Sequence, residues 1–496
     1  MDGGHEDFHP GQLVMVGIRG KSLDADQTAF LRRNHIRAVV LFRDNLGDED
    51  QVRALTRDLH NVLGAHALIG IDQEGGAVVR ATFLPQPPSA MALGAAGDER
   101  LAQDVGAAVA RGLRSVGFNW NFAPVVDVNN NPLNPVIAER SFSADPQDVA
   151  RLGTAWMRGG LSEGVACCIK HFPGHGDTSI DSHLDLPIVD KMRDRLDAME
   201  LLPFRALVHE APAIMTAHIV YRSIDREHPA TLSRAVLGDL LRREFRYDGV
   251  VITDSLVMNA IHDRYGHDRA AVMALSAGAD MVMALGSERE QIAAIDAIAG
   301  ALDRGELSLE ALSKARARLD RLAERFPLRA GDYASATRFA DEAIMLRGWA
   351  LGLTTLDGAR PPPIDRPIRV ITQRTVPSDG ISEAGLPGGR IAQLFERFDA
   401  DVVQVDDLLR PDAARAPRDG RQTILASNIH ARYGEQARDW RPDLHLILWN
   451  PFQALDFAVP SIITWGYGNG ALMALHEWLE GRGDAPGRAP VPLRYR

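Results

Sequence analysis

The chain has almost no cysteine: two in 496 residues, Cys167 and Cys168, side by side. Adjacent cysteines rarely bridge, and the run around them is apolar. Both read as buried, inert thiols, and no disulfide framework holds the fold. No Cys/His group has zinc-ligand spacing, so no metal is expected, and nothing calls for another cofactor. Basic runs are also missing. The formal charge is −11 with both signs interspersed, which argues against nucleic acid as a partner. No apolar stretch is long enough to span a bilayer, and the first residues, Met-Asp-Gly-Gly-His-Glu-Asp, are polar and acidic rather than a signal segment. The expectation is a cytoplasmic protein with no membrane partner, its oligomeric state open.

A chain of this length exceeds what one core supports, so two domains are expected. In the first two-thirds, short apolar runs alternate with longer segments of helical periodicity. The runs are Leu13–Ile18, Ala38–Phe42, Ala67–Ile71, Asn119–Val126, Val165–Ile169, Ala213–Thr216, Gly249–Thr253 and Asp280–Ala284; Glu49–Leu63 and Pro146–Glu163 are two of the helical segments. About eight such units in roughly 330 residues suit an α/β fold of the (β/α)8 TIM-like barrel type. The barrel is assigned to 1–330. A linker and connecting helix follow at 331–365. Further alternating runs then predict a smaller open α/β sandwich domain over 366–496. The glycines at 380, 385, 388, 389, 466, 468 and 470 make no phosphate-binding fingerprint and read as turns.

Polar residues interrupt the barrel runs at one end only. Asp72, Asp127, Lys170, His218 and Asp254 each follow the apolar part of a run. Barrels build active sites at the C-terminal ends of several strands at once, and a random scatter would not favour that end. The densest stretch is Lys170–His183, with a Lys, three His and two Asp between Pro and Gly residues. Charges are costly to desolvate alone, so Lys170 and His171 are expected at a cleft, with Asp181 and His183 on the loop above it.

These residues carry a family likeness. Lys170-His-Phe-Pro-Gly-His-Gly176, then Asp181-Ser-His183, together with Ile71-Asp-Gln-Glu-Gly-Gly76 and Val251-Ile-Thr-Asp-Ser-Leu256, resemble glycoside hydrolase family three. The Asp-Ser-His element is similar to that of its bacterial β-N-acetylglucosaminidase branch, used in cell-wall recycling. Phe122–Val128, Asn134–Ile137, Arg140–Phe142 and Met215–His218 follow in the expected order, and Trp465-Gly-Tyr467 resembles the family's C-terminal domain. The resemblance implies an Asp254 nucleophile, a His183 acid/base with Asp181 as its partner, and sugar contacts from Asp72, Arg80, Arg140, Lys170 and His171. It implies a carbohydrate substrate: a terminal β-N-acetylglucosamine, from peptidoglycan-derived fragments.

The chemistry is coherent. Retention needs a nucleophile on one face of the anomeric carbon and a proton donor near the leaving oxygen. An imidazole with a reference pKa of about 6.5 can give and then take a proton near neutrality. A carboxylate two residues away can fix its tautomer. Cations at Lys170, Arg80 and Arg140 favour an ionised nucleophile, and Thr253 and Ser255 are potential donors to it. For Arg80 and Arg140, a structural salt bridge with Glu74 or Glu139 is the plainer alternative. Glu74, beside two glycines, reads as a loop-shaping residue, and His175 and His218 as supporting ones. Three other functions compete: a phosphorylase; a β-glucosidase or β-xylosidase with its acid from the second domain, such as Glu383, Glu396 or Glu435; and a non-catalytic sugar-binding barrel.

Overall fold

The apolar runs of the first two-thirds become strands buried on both faces. In the computed structural model, which describes residues 8–178, 186–378, 380–410 and 419–494, eight parallel strands close into a barrel. They are β1 (Val14–Gly17), β2 (Ala38–Val40), β3 (Leu68–Ile71), β4 (Trp120–Asn121), β5 (Ala166–Phe172), β6 (Ala213–Thr216), β7 (Val250–Ser255) and β8 (Met281–Met283). Each pairs with its neighbours in chain order, and β8 returns to β1 with Val14 opposite Val282. Helices cover the outside, which is why these strands read as continuous apolar runs rather than alternating ones.

The helices start where the sequence supplies an acceptor. Asp48, Asp98 and Asp145 cap Glu49–Leu63, Glu99–Ser115 and Pro146–Ser162, each accepting a backbone N–H of the first turn. Their apolar faces pack on the barrel strands in one continuous core.

The run Asn119–Val126 does not become a long strand. Only Trp120 and Asn121 form a regular ladder strand; Pro124 has no N–H to give, and Val125 pairs with Lys170 as an isolated bridge. Contact resumes beyond it, where Val126 N donates to the Lys170 carbonyl at 2.8 Å. Asp127 is thereby carried to the end of β5.

A second sheet follows. Its strands are β9 (Thr354–Leu356), β10 (Ile368–Gln373), β11 (Ala400–Val405), β12 (Gln422–Ser427), β13 (Leu444–Ile447) and β14 (Ser461–Ile463). The spatial order is β9-β14-β13-β12-β10-β11, parallel except for β9 against β14. The edge strand β9 comes from within the connecting segment, directly after the helix Ser335–Gly352. Between β10 and β12 the winding reverses. Loops leaving a parallel sheet there form its crevice, and the loop after β10 runs to the mouth of the barrel.

Trp349 seals the two units together. Its indole lies against Gly466, Gly468 and Gly470, and a Cβ added at Gly470 would sit 2.3 Å from Trp349 Cδ1. Gly470 is inside the helix Asn469–Leu479, not in a turn. A flat ring packed on helix backbone leaves no room for a side chain, and that requirement is what places the glycine. Trp449 Nε1 donates to Glu139 Oε1 at 2.9 Å, and Ser89 Oγ to the Trp465 carbonyl at 2.6 Å, both across the same junction. Among the described residues no helix is long and apolar enough to cross a membrane.

Candidate active site

A cavity of about 320 Å³ opens at the C-terminal end of the barrel. Its wall contains Asp72, Arg80, Arg140, Lys170, His171 and Asp254, six of the eight residues singled out from sequence. The other two, Asp181 and His183, lie outside the described residues.

The backbone that sets Asp72 and Glu74 is pinned from below. The Asn121 side-chain amide holds both the N–H and the carbonyl of Gln73, at 3.0 and 3.1 Å. The Gln73 side chain in turn bonds both backbone groups of Ala81. This makes a two-stranded ribbon, Gln73–Gly75 with Val78–Val79, that turns at Gly75 and Gly76. Both turn glycines have positive φ, and a Cβ on Gly75 would meet the Pro88 carbonyl at 2.2 Å. Asp72 and Arg80 flank the open end of the ribbon, on either side of the Gln73–Val79 pair, and Glu74 lies within its first strand.

Glu74 does more than shape this loop. Its carboxylate takes two 2.8 Å bonds from Arg140, at Nε and Nη2, and lies 2.6 Å from Lys170 Nζ. Lys170 also bonds Asp72 Oδ1 at 2.6 Å. Two cations and two carboxylates thus form a neutral, largely buried lattice. Burial alone would raise the Glu74 pKa, but Arg140 and Lys170 outweigh it and hold the carboxyl well below the usual range. Burial would lower Lys170, but Asp72 and Glu74 outweigh it and hold the ammonium charged. Two of the three N–H groups of Lys170 go to Asp72 and Glu74, which leaves one for a ligand. The residue types alone hid Glu74's role; its value as a counter-ion depends on Arg140, 66 residues away.

Lys170 and His171 are consecutive yet both line the cavity. The ladder between β5 and β6 shifts register between Ile169 and Phe172, so simple alternation does not hold there. His171 is oriented by Asp127, a buried residue left out of the sequence-based site. Asp127 Oδ2 lies 2.7 Å from His171 Nδ1, while Oδ1 accepts the backbone N–H groups of His171 and His175 at 3.0 and 2.7 Å. Burial would raise the Asp127 pKa; the facing imidazoles and N–H groups outweigh it and keep the carboxylate low. The Nδ1 bond leaves His171 Nε2 for the cavity. His175, also on the wall, is held by Thr178 Oγ1 at 2.9 Å. Burial, then the His171 charge beside it, lowers its pKa to about 4.

Asp254 stands half-buried near the end of β7. The expected donors to it are not its neighbours' hydroxyls. Thr253 Oγ1 accepts from Met283 N at 3.0 Å, tying β7 to β8, and it is the Ser255 backbone N–H that donates to Asp254 Oδ1, at 2.7 Å. His218 Nε2 lies 2.9 Å from the Ser255 carbonyl and its Nδ1 is 2.7 Å from Thr231 Oγ1, so it steadies the segment that carries Asp254.

Apolar residues complete the wall: Phe42, Val78, Val136, Met215, Val257, Met258, Met283, Leu285 and, from the second unit, Ile381. Glu383 bonds Arg80 at 2.7 Å, while Glu396 and Glu435 are exposed and do not line the cavity. Cys167 and Cys168 are buried, and burial pushes the Cys167 thiol up to about 12. Among the described residues no group of three or more His, Cys, Asp or Glu is arranged to hold a metal.

A closed parallel barrel that gathers charged side chains around one cavity at its C-terminal mouth has the architecture on which barrel enzymes build their active sites. The chain belongs to glycosyl hydrolase family 3: residues 7–322 match the model of the family's N-terminal domain. Beta-hexosaminidase A of Pseudoalteromonas piscicida is 36% identical over 346 residues, 64% of this chain; the chain spans 58% of that protein's length. The family 3 β-N-acetylglucosaminidase of Paenibacillus sp. str. FPU-7 superposes with a TM-score of 0.88 at 33% identity, over 98% of each chain. NagZ of Neisseria gonorrhoeae, solved with N-trifluoroacetyl-D-glucosamine, matches with a TM-score of 0.52 at 29% identity, covering 63% of this chain and 98% of its own.

Proposed function

We infer that the protein is a retaining exo-glycosidase that removes terminal non-reducing β-N-acetylglucosamine, with peptidoglycan-derived fragments as its substrates. The observation that carries this is the shared cavity: Asp254 and the lattice Asp72–Lys170–Glu74–Arg140 line one small chamber. A chamber of that size suits one sugar ring, which fits removal from a chain end. The lattice offers fixed donors and acceptors to hydroxyls, and a sugar lacking a matching group leaves buried polar atoms unpaired.

In this reading Asp254 attacks the anomeric carbon. The Ser255 N–H steadies its charge. His183, oriented by Asp181, protonates the leaving oxygen and then activates water for the second displacement. Lys170, Arg140, Asp72, His171 and Arg80 bind the ring. The names of the family relatives, hexosaminidases and a β-N-acetylglucosaminidase, support the choice of sugar.

Replacing Asp254 by Ala tests the assignment. Turnover of an aryl N-acetyl-β-glucosaminide should fall by about a thousandfold or more, while the free sugar still binds. Activity within tenfold of the parent would remove Asp254 from the reaction.

A further inference from the structure

The cavity is not built by the barrel alone. The loop after β10 reaches across the junction and places Gly380 and Ile381 on its wall. Glu383 Oε1 accepts from Arg80 Nη1 at 2.7 Å, and the Ile381 carbonyl accepts from Arg80 Nη2 at 2.8 Å. The loop is stitched on both sides. Glu383 N donates to the Ala77 carbonyl of the barrel ribbon at 2.9 Å, and Tyr467 Oη donates to the Glu383 carbonyl at 3.0 Å. Ile381 also packs with Val136 and Ile137 of the barrel.

Arginine on the end of a short ribbon has many rotamers, and fixing it unaided would cost binding energy. Here two acceptors from the second unit fix it in advance. Its Nε is buried and has no hydrogen-bond partner among the described residues. A buried N–H without a partner is expensive. In a cavity wall that cost is relieved when a hydroxyl or carbonyl oxygen arrives.

We propose that Glu383 is a positioning residue for Arg80, and that the loop carrying it makes the sugar site composite: the second unit aims the guanidinium at an oxygen of the bound terminal sugar. The proposal rests on the sugar-binding reading above. A loop that merely held the two units together would affect stability alone; a positioning loop affects affinity.

The test measures kcat and KM on an aryl N-acetyl-β-glucosaminide, the inhibition constant of free N-acetylglucosamine, and the thermal midpoint. The variants are Glu383→Ala, Glu383→Gln, Arg80→Lys and the double variant Arg80→Lys with Glu383→Ala. Glu383→Ala should raise KM and the inhibition constant at least roughly tenfold, with kcat far less changed. The double variant should be little worse than Arg80→Lys, because both changes remove one interaction. If Glu383→Ala does not fold, Glu383→Gln, which keeps the volume, should still raise both constants. Constants within twofold of the parent in Glu383→Gln and in every folded alanine variant, whatever the thermal midpoint does, overturn the proposal. A parent protein that neither turns over nor binds these sugars overturns the sugar reading itself, a result visible before any variant is made.

Discussion

Glu74 is the place where the lattice should break. Glu74→Gln keeps the shape and removes one negative charge between two cations. Arg140 loses the anion behind two 2.8 Å bonds, and Lys170 loses one of its two counter-ions, the other being Asp72. The side chains of Glu74, Arg140 and Lys170 are only 6%, 6% and 3% exposed, so water cannot replace the missing charge. Stranding a buried charge in this way costs about 3–5 kcal/mol. For a cooperative unit of about 300 residues the unfolding entropy is near 0.6 kcal/mol per kelvin, so the barrel transition should move down by about 5–8 °C. Differential scanning calorimetry resolves that shift.

Two controls separate charge from packing. Adding Arg140→Gln to Glu74→Gln restores neutrality and should recover part of the loss, where independent damage would add. The pH dependence is the second. The folded Glu74 carboxyl is held well below its ordinary value of 4.5. Its contribution is therefore complete above that value and is lost as pH falls below it toward the folded value. The gap between parent and Glu74→Gln should be constant near neutrality and narrow below about pH 4.5. A midpoint within 1 °C of the parent at pH 7 would refute the view that Glu74 is the counter-ion holding this wall.

Two further outcomes are accessible by the same method. Gly470→Ala, in an exposed helix interior, would gain up to about 1 kcal/mol. Here the new methyl meets Trp349, so a loss of about 1–3 kcal/mol is expected, and an unchanged or raised midpoint would sink the packing argument. His175 is lowered from its ordinary 6.5 to about 4 by burial and by His171. Between those values the unfolded chain takes up a proton that the folded one does not, so stability falls as pH drops through that window. The slope of midpoint against pH there should be flatter in His175→Gln, and equal slopes would count against it.

The barrel was readable because each strand is built on an apolar run and crossover helices such as Glu49–Leu63, Glu99–Ser115 and Pro146–Ser162 carry their own period and cap. Those are local signals, carried within about twenty residues. Where the reading slipped, a local signal met a single chemical veto. Pro124 cut the run Asn119–Val126, and Gly470 looked like a turn because the indole that requires it is 121 positions earlier in the chain, at Trp349.

The cavity wall divides along the same line. Asp72, Lys170 and Asp254 could be placed because each lies at or near the C-terminal end of a strand and the fold sends all those ends to one rim. What each residue does there is set by partners far off in sequence. Arg140 finds Glu74 across 66 residues, His171 finds Asp127 across 44, and Arg80 finds Glu383 across 303. No periodicity carries such pairings, since they depend on which loop tips the closed barrel brings together. The Arg80 case goes furthest. The barrel sequence alone would leave that guanidinium unanchored, and its partner sits on a loop of the second sheet. A site residue's position was therefore inferable from its own neighbourhood, while its charge partner, and with it the strength of its hold on a ligand, followed only from the assembled pair of units.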